Sequence, residues 1–128
     1  MSGQMILLVE DHADAREALQ ALLELEGYEV VTAAEGLAAL DIARSKHPDI
    51  ALIDIGLPGL DGYEVARRLR AAVGPQPILI ALTGYSQPQD RRDAEAAGFD
   101  AHLVKPVDAD DLTRVLATLG TPGRGSRG

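Results

Sequence analysis

The segment IALIDIGLPGLDG, residues 50–62, contains the clearest buried strand in the sequence. It opens with an unbroken apolar run, Ile50–Ile53, and continues through Asp54 into a turn rich in glycine and proline. An apolar run without polar alternation is typical of a parallel strand that is covered on both faces. Because an ionised carboxylate is rarely placed against such a strand without a partner, Asp54 is a candidate functional residue.

Further apolar runs lie on either side of this segment and are separated by stretches with helical periodicity. These runs are Met5–Val9, Tyr28–Ala33, Ile78–Leu82 and Ala101–Val104. The first helix is predicted from about Ala13 to Glu26, with Gly27 as its stop signal. Alternation of strands with helices predicts an α/β fold built on a parallel sheet.

The order of the strands follows from their polarity. The second run carries Glu29 and Thr32, and the fifth carries His102, whereas the first, third and fourth are wholly apolar. Edge strands tolerate polar residues better than central ones, so the second and fifth strands are placed at the edges. With right-handed crossovers this predicts a flavodoxin-like, doubly wound five-stranded sheet of order 2-1-3-4-5 in a single domain.

Length and composition are consistent with one globular domain. The 128 residues are 46% hydrophobic and 25% charged, which suits a single packed core. We assign residues 1–119 to this domain. The segment GTPGRGSRG, residues 120–128, is predicted to be a flexible tail.

Several classes of function are disfavoured by composition. The absence of cysteine excludes disulfides and thiol catalysis, and the net charge of -8 argues against direct binding of nucleic acid. Apolar runs are too short to span a bilayer, and Met1–Met5 lacks the features of a signal peptide. We therefore expect a cytoplasmic protein without membrane insertion.

Polar side chains stand where four of the predicted strands end. Glu10 and Asp11 follow the first strand and Asp54 the third, and then Thr83 and Lys105 follow the fourth and fifth. The carboxyl ends of parallel strands meet at one edge of a sheet, where ligands bind. Each residue also has a simpler explanation, since Asp11 could cap the first helix and Thr83 could merely end a strand.

Three carboxylates gathered in one crevice repel each other and need a basic side chain, a proton or a metal. Carboxylate oxygens suit Mg²⁺, which uses few protein ligands and keeps several waters. An aspartate beside a metal, a hydroxyl and an ammonium can accept a phosphoryl group. This combination predicts Asp54 as the nucleophile, with Thr83 and Lys105 stabilising charge on the phosphoryl oxygens.

Four short motifs occur at these strand ends in order. They are LLVEDH at 7–12, DIGLPGLDG at 54–62, ALTGY at 81–85 and AHLVKP at 101–106. Together they make the chain, from Met5 to Leu119, resemble a receiver domain of the two-component response-regulator family. The later motifs are also similar to those of receivers attached to hybrid histidine kinases.

The resemblance implies a role for each matched residue. Glu10 and Asp11 would be the acidic pair that binds Mg²⁺, together with Asp54, the phosphoacceptor, and the backbone carbonyl of Gly56. Thr83 and Lys105 would contact the phosphoryl group.

Two further features are implied by the family. The Lys105–Pro106 peptide is expected to be cis. His102 occupies the position of the family's aromatic switch residue, and its simpler interpretation is a half-exposed histidine on an edge strand.

The predicted function is that of a signalling domain, not an enzyme beyond its own phosphorylation and dephosphorylation. Its partner would be a histidine kinase or a histidine phosphotransfer protein, and the downstream target is not predicted. Alternatives are a protein-interaction module that is not phosphorylated and an aspartate-based phosphatase. The phosphatase is disfavoured because Gly56 stands where a second aspartate is usual. Gly56 and Tyr85 predict slow self-dephosphorylation.

Overall fold

The computed structural model describes residues 4–57, 59–75, 77–84 and 88–119, with the backbone alone at 88–91. The predicted tail at 120–128 and Tyr85 lie outside the described residues. Within them, strands and helices alternate along the chain. The strands are Met5–Val9 (β1), Glu29–Ala33 (β2), Ile50–Asp54 (β3), Ile78–Thr83 (β4) and Ala101–Val104 (β5). The helices are Ala13–Leu25 (α1), Gly36–Lys46 (α2), Gly62–Val73 (α3), Pro88–Ala97 (α4) and Ala109–Thr118 (α5).

All strand pairs are parallel, and the sheet order is β2-β1-β3-β4-β5. The prediction of a five-stranded, doubly wound sheet is confirmed, with β2 and β5 at its edges. The central strand β3 is buried at every position. Burial on both faces is the reason that its sequence shows no polar alternation before Asp54.

Side chains alternate between two apolar cores, one on each face of the sheet. Leu7 and Val9 point to the core that α2, α3 and α4 cover, whereas Ile6 and Leu8 point to the core covered by α1 and α5. Helix α4 contributes Ala94 and Ala97 to the first core. Alanine buries little apolar area, so these two side chains add little to the packing of α4 against the sheet.

Two strands are longer at their carboxyl ends than the apolar runs indicate. Asp54 pairs with Leu82 in the β3–β4 register, and Thr83 pairs with Val104 in the β4–β5 register. Both polar residues are therefore the last members of their strands rather than the first residues after them. The ladder continues past Asp54 because the Ile55 backbone N–H donates to the Leu82 carbonyl at 3.0 Å.

The amino-terminal half differs by one residue at two boundaries. Helix α1 ends at Leu25, and β2 begins at Glu29 rather than Tyr28. Gly27, at φ +98°, makes the turn between them in a conformation that L side chains rarely adopt. In the part of the chain that the structure describes, no helix is both long and apolar enough to cross a membrane.

Candidate functional site

The predicted site residues come together at the carboxyl edge of the sheet. Glu10 is fully buried, and Asp54 and Thr83 are each only 4% exposed. A cleft of about 460 Å³ opens above Asp54, and Gly56, Thr83 and Lys105 are among its walls. The register of β1, β3, β4 and β5 brings these strand ends level with each other. The spatial cluster expected from the strand ends therefore exists.

Lys105 is the cation that faces the buried carboxylates. Its Nζ donates to Asp54 Oδ2 at 3.0 Å and to Glu10 Oε1 at 3.3 Å. Partial burial disfavours the ammonium, but the hydrogen bond and charge of Asp54, with those of Glu10, outweigh it and raise the pKa of Lys105 above its usual value. The side chain therefore stays charged at neutral pH and offsets part of the negative charge.

Backbone groups hold the other oxygen of Asp54. The Gly56 N–H donates to Asp54 Oδ1 at 2.9 Å, so the turn after β3 closes over the carboxylate. Gly62, at the start of α3, lies against this turn. A Cβ there would come within 2.5 Å of Ile55 Cα and 2.6 Å of the Asp54 carbonyl oxygen. Only glycine fits this approach without displacing the backbone that carries Asp54.

The backbone of Glu10 is held by contacts from β2 and α1. The Glu10 N–H donates to the Ala33 carbonyl at 3.1 Å, and Arg16 Nη1 donates to the Glu10 carbonyl at 2.9 Å. The capping alternative for Asp11 is wrong, because the N-cap residue of α1 is His12. Asp11 is thus left available for a role in the cleft region.

His12 completes this cluster and was missed by the sequence analysis. Its backbone N–H and its ring Nδ1 each lie 3.1 Å from Glu10 Oε2. Nδ1 also approaches Asp11 Oδ1 to 3.5 Å. No sequence pattern marks this contact, because it depends on the geometry of the turn that follows Glu10. Arg16 was also missed, since its contact is with a backbone carbonyl that leaves no sequence pattern.

The cluster has the composition of a divalent-cation site. Ligand atoms of Glu10, Asp11, His12 and Asp54 all lie within 4.8 Å of one another. Asp11 Oδ1 is buried and has no hydrogen-bond partner among the described residues. A buried oxygen without a donor is unfavourable unless another group satisfies it. The three carboxylates of this cluster therefore fit Mg²⁺, a hard ion that takes carboxylate oxygens.

His102 is placed away from this cleft. It lies on β5 opposite Ala81, is half-buried, and lines a separate cavity of about 210 Å³ with Glu95 and Phe99. His102 lies on the same strand as Val104, two residues before it. Val104 pairs with Thr83, which lines the cleft. The Lys105–Pro106 peptide that follows this strand is cis.

The model of the response regulator receiver domain matches residues 6–117. The chain belongs to this family, and it is therefore a phosphoacceptor domain of two-component signalling with the flavodoxin-like fold described above.

Individual relatives agree with this assignment. Sporulation initiation phosphotransferase F of Bacillus subtilis is 33% identical over 112 residues, which cover 88% of this chain and 90% of that protein. The chemotaxis protein CheY4 of Vibrio cholerae has a TM-score of 0.87 at 28% identity, covering 91% of this chain and 98% of that one. The receiver domain of sensor histidine kinase PA1611 of Pseudomonas aeruginosa has a TM-score of 0.83 at 37% identity, covering 91% and 97%. Its structure has a magnesium ion coordinated in the active site cleft.

Several other curated relatives are longer proteins. The chain spans about half of their length, 46% of one transcriptional regulator and 53% of one response regulator.

Proposed function

We propose that Asp54 of this receiver domain accepts a phosphoryl group from a phosphohistidine in a histidine kinase or a histidine phosphotransfer protein, with Mg²⁺ bound beside it. The observation that carries the proposal is the setting of Asp54. Its side chain is 5% exposed, and its two oxygens are held separately, Oδ1 by the Gly56 N–H and Oδ2 by Lys105. It faces a cleft wide enough for a phosphoryl group.

The transfer is an in-line displacement at phosphorus. A carboxylate oxygen of Asp54 forms the new P–O bond while the P–N bond to the donor imidazole breaks. The donor nitrogen keeps the electron pair of that bond and takes a proton from solvent. The product is an aspartyl phosphate, and no oxidant or further reactant is required.

Lys105 and Thr83 then hold the transferred group. Both line the cleft that Asp54 faces, from the ends of neighbouring strands. The Lys105 ammonium, which now contacts Asp54, can shift to a phosphoryl oxygen with little movement. Fixed charges and donors already in place lower the barrier most, because they do not need to reorganise during the reaction.

Glu10, Asp11 and Asp54 are the side chains that would hold Mg²⁺, with the backbone carbonyl of Gly56. The bound ion would supply positive charge to the phosphoryl oxygens and draw a donor phosphate into line. Asp11 Oδ1 supports this assignment, since it has no hydrogen-bond partner among the described residues and only a 3.5 Å contact with His12 Nδ1. The sulphur-free, oxygen-rich ligand set is also the one that Mg²⁺ prefers.

The wider setting of this activity is part of the same proposal. The domain would act in the cytoplasm, where histidine kinases present their phosphohistidine, and would relay the signal by a change in its surface. It would not bind nucleic acid directly, because its net charge of -8 repels a phosphate backbone. It would catalyse only its own phosphorylation and dephosphorylation.

Intact-protein mass spectrometry tests the phosphoacceptor. After incubation with phosphoramidate, whose P–N bond resembles that of phosphohistidine, the protein with Mg²⁺ should gain one phosphoryl group that hydroxylamine removes. EDTA and Asp54→Asn should each prevent the gain. Asp41→Asn is the matched control, because Asp41 is an exposed carboxylate on α2.

The outcomes separate the alternatives. A phosphoryl group that persists in Asp54→Asn would place the acceptor at another residue. Absence of any gain in the unmodified protein with Mg²⁺ would favour the interaction module that is not phosphorylated. Steady release of inorganic phosphate over many turnovers would instead favour the phosphatase.

A further inference from the structure

Tyr63 is the second residue of α3 and is shared between the cleft and the core. Its half-buried side chain lines the cleft of about 460 Å³ together with Asp54 and Lys105. The same side chain packs against the apolar core that α2, α3 and α4 cover. The phosphoryl transfer proposed above assigns no role to this ring, although it forms part of the wall around the phosphoacceptor.

The ring of Tyr63 meets the ring of Phe99, which lies in the loop between α4 and β5. Their centroids are 6.5 Å apart and their planes are inclined at 75°, which is an edge-to-face contact. Aromatic pairs favour this arrangement at centroid distances of about 4.5–7 Å. Phe99 is 6% exposed and lines the second cavity, of about 210 Å³, beside His102. One ring of the pair therefore borders the cleft and the other borders the cavity at β5.

Hydrogen bonds fix the backbone on both sides of the Phe99 ring. Its own N–H donates to the Ala94 carbonyl at 3.0 Å, and the N–H of the next residue donates to the Leu79 carbonyl at 2.7 Å. Arg70 Nη2 donates to the carbonyl of the preceding residue, Gly98, at 2.9 Å. The Phe99 ring therefore projects from a segment that is held by α3, α4 and β4.

The backbone that carries Tyr63 is fixed in a different way. Gly62, which precedes it, packs so closely that a Cβ would come within 2.6 Å of the Asp54 carbonyl oxygen. A half-buried ring on a fixed backbone can still occupy more than one rotamer. The contact with Phe99 favours the rotamer seen here, so this part of the cleft wall is in place before a ligand arrives. A wall that is already in place loses less conformational entropy on binding.

We infer that Tyr63 is a positioning residue of the phosphoacceptor cleft, and that Phe99 holds its ring where it favours a phosphoryl group on Asp54. This rests on the proposed function, because the phosphoryl group is the ligand of the cleft. Coupling between two sites is reciprocal. A phosphoryl group in the cleft would therefore also stabilise residues 98–100, the segment that carries Phe99, through the ring of Tyr63.

Titration with beryllofluoride, a mimic of the phosphoryl group, at saturating Mg²⁺ tests the inference on the whole chain. The Gly56 amide signal in NMR spectra reports binding, since this N–H contacts Asp54. Phe99→Leu keeps an apolar side chain but removes the ring contact, so it should weaken beryllofluoride binding about two- to tenfold. Tyr63→Leu should weaken it by at least as much, whereas Tyr63→Phe keeps the ring and should bind as the unmodified protein does.

A double variant separates positioning from general packing. If Phe99 acts through the Tyr63 ring, Phe99→Leu should cause no further loss of affinity in a Tyr63→Leu background. Val31→Ala is the matched control, because Val31 packs against the same core from β2, at the opposite edge of the sheet from β5. It should lower the stability in urea and leave the beryllofluoride affinity unchanged.

Any one of four results would overturn the inference. Three are unchanged affinity in Phe99→Leu, additive losses in the double variant, and an equal loss of affinity in Val31→Ala. The fourth is a Tyr63→Phe variant as weak as Tyr63→Leu, because the hydroxyl rather than the ring contact would then matter. Urea unfolding shows whether Phe99→Leu folds, and Phe99→Met takes its place if it does not.

Phosphorylation by phosphoramidate is measured on the same samples. If the unmodified protein is phosphorylated and binds beryllofluoride while Phe99→Leu binds it equally well, only the inference fails. If the unmodified protein does neither in the presence of Mg²⁺, the proposed function fails.

Discussion

Lys105 Nζ lies 3.0 Å from Asp54 Oδ2, and the two residues are 51 positions apart in the chain. The same ammonium reaches Glu10, 95 positions away, at 3.3 Å. One cation thus joins the ends of β1, β3 and β5. The contact is important for stability as well as for chemistry, because it offsets charges that are almost completely buried.

Replacing Lys105 with methionine should lower the free energy of unfolding by about 1–3 kcal/mol at pH 7, since it leaves buried carboxylates without their cation. The pKa of Lys105 is raised in the folded protein above the ordinary lysine value of 10.5. The charged side chain therefore stabilises the fold fully at any pH below 10.5. The stabilisation is lost as pH rises through the higher folded value. Urea unfolding of both proteins at pH 7, 9 and 11 checks this. A difference between them that did not shrink at the highest pH would contradict it.

Gly62→Ala should destabilise the protein, because its Cβ would meet backbone atoms of Ile55 and Asp54 at 2.5 and 2.6 Å. The overpacking should lower the free energy of unfolding by about 1–3 kcal/mol, despite the better helix propensity of alanine. Gly56→Ala is the matched control, since its Cβ would lie 3.5 Å from Asp54 Oδ1, an ordinary contact. Chemical denaturation measures both. Equal stability of the two variants would show that the turn can move aside.

Arg70, near the end of α3, hydrogen-bonds to the segments that precede β4 and β5. Its guanidinium donates to the carbonyls of Pro77 at 2.7 Å and Gly98 at 2.9 Å, and to Asp100 at 2.8 Å. Arg70→Met should lower the free energy of unfolding by about 2–3 kcal/mol, because it leaves the two carbonyls without this donor. Among the described residues, Asp100 would keep only the Leu79 N–H, which donates to it at 2.9 Å. Arg67→Met on the same helix, where the side chain is 55% exposed, should change it by less than about 0.5 kcal/mol. Thermal and urea unfolding measure both variants. Equal losses of stability in Arg70→Met and Arg67→Met would refute this prediction.

Gly56 should contribute to a long-lived aspartyl phosphate. It lines the cleft but has no side chain to orient a water molecule at phosphorus. Gly56→Asn should speed the loss of phosphate from Asp54 severalfold, since its Cβ would lie 3.5 Å from Oδ1 and its amide could orient a water molecule there. Decay of radiolabelled protein measures the rate, and Tyr85→Ala is measured beside it. If neither substitution speeds the decay, the lifetime has another cause, such as a partner phosphatase.

His102 should report phosphorylation, if it takes the role that the family's aromatic residue has. Its cavity contains Glu95 and Phe99 and is separate from the cleft of Asp54. If His102 has the switch role, binding of beryllofluoride at Asp54 should still reach it through β5 and shift its imidazole signals in NMR spectra. The Thr83 signals serve as the positive control, and the distant His47 imidazole as the negative one. A shift of the Thr83 signals without any change at His102 would contradict a switch role for His102.

Much of the fold could be predicted because it depends on local periodicity. The unbroken run Ile50–Ile53 marked a strand buried on both faces, and Glu29, Thr32 and His102 marked the edges. Such patterns record which side chains face a core, whatever the core contains. The exact strand ends were less predictable, because Asp54 belongs to β3 through a hydrogen-bonded neighbour and not through its own polarity.

The candidate site, like the fold, has features that the sequence predicts and features that it does not. Its carboxylates, hydroxyl and ammonium could be gathered from the order of strand ends alone, because parallel strands bring their carboxyl ends to one edge. No sequence pattern indicated three of the contacts in the site. They are the oxygens that Lys105 contacts, the His12 imidazole beside Glu10, and the Arg16 guanidinium on a backbone carbonyl. These contacts depend on strand register, turn geometry and side-chain rotation, and those are set only when distant segments pack against each other.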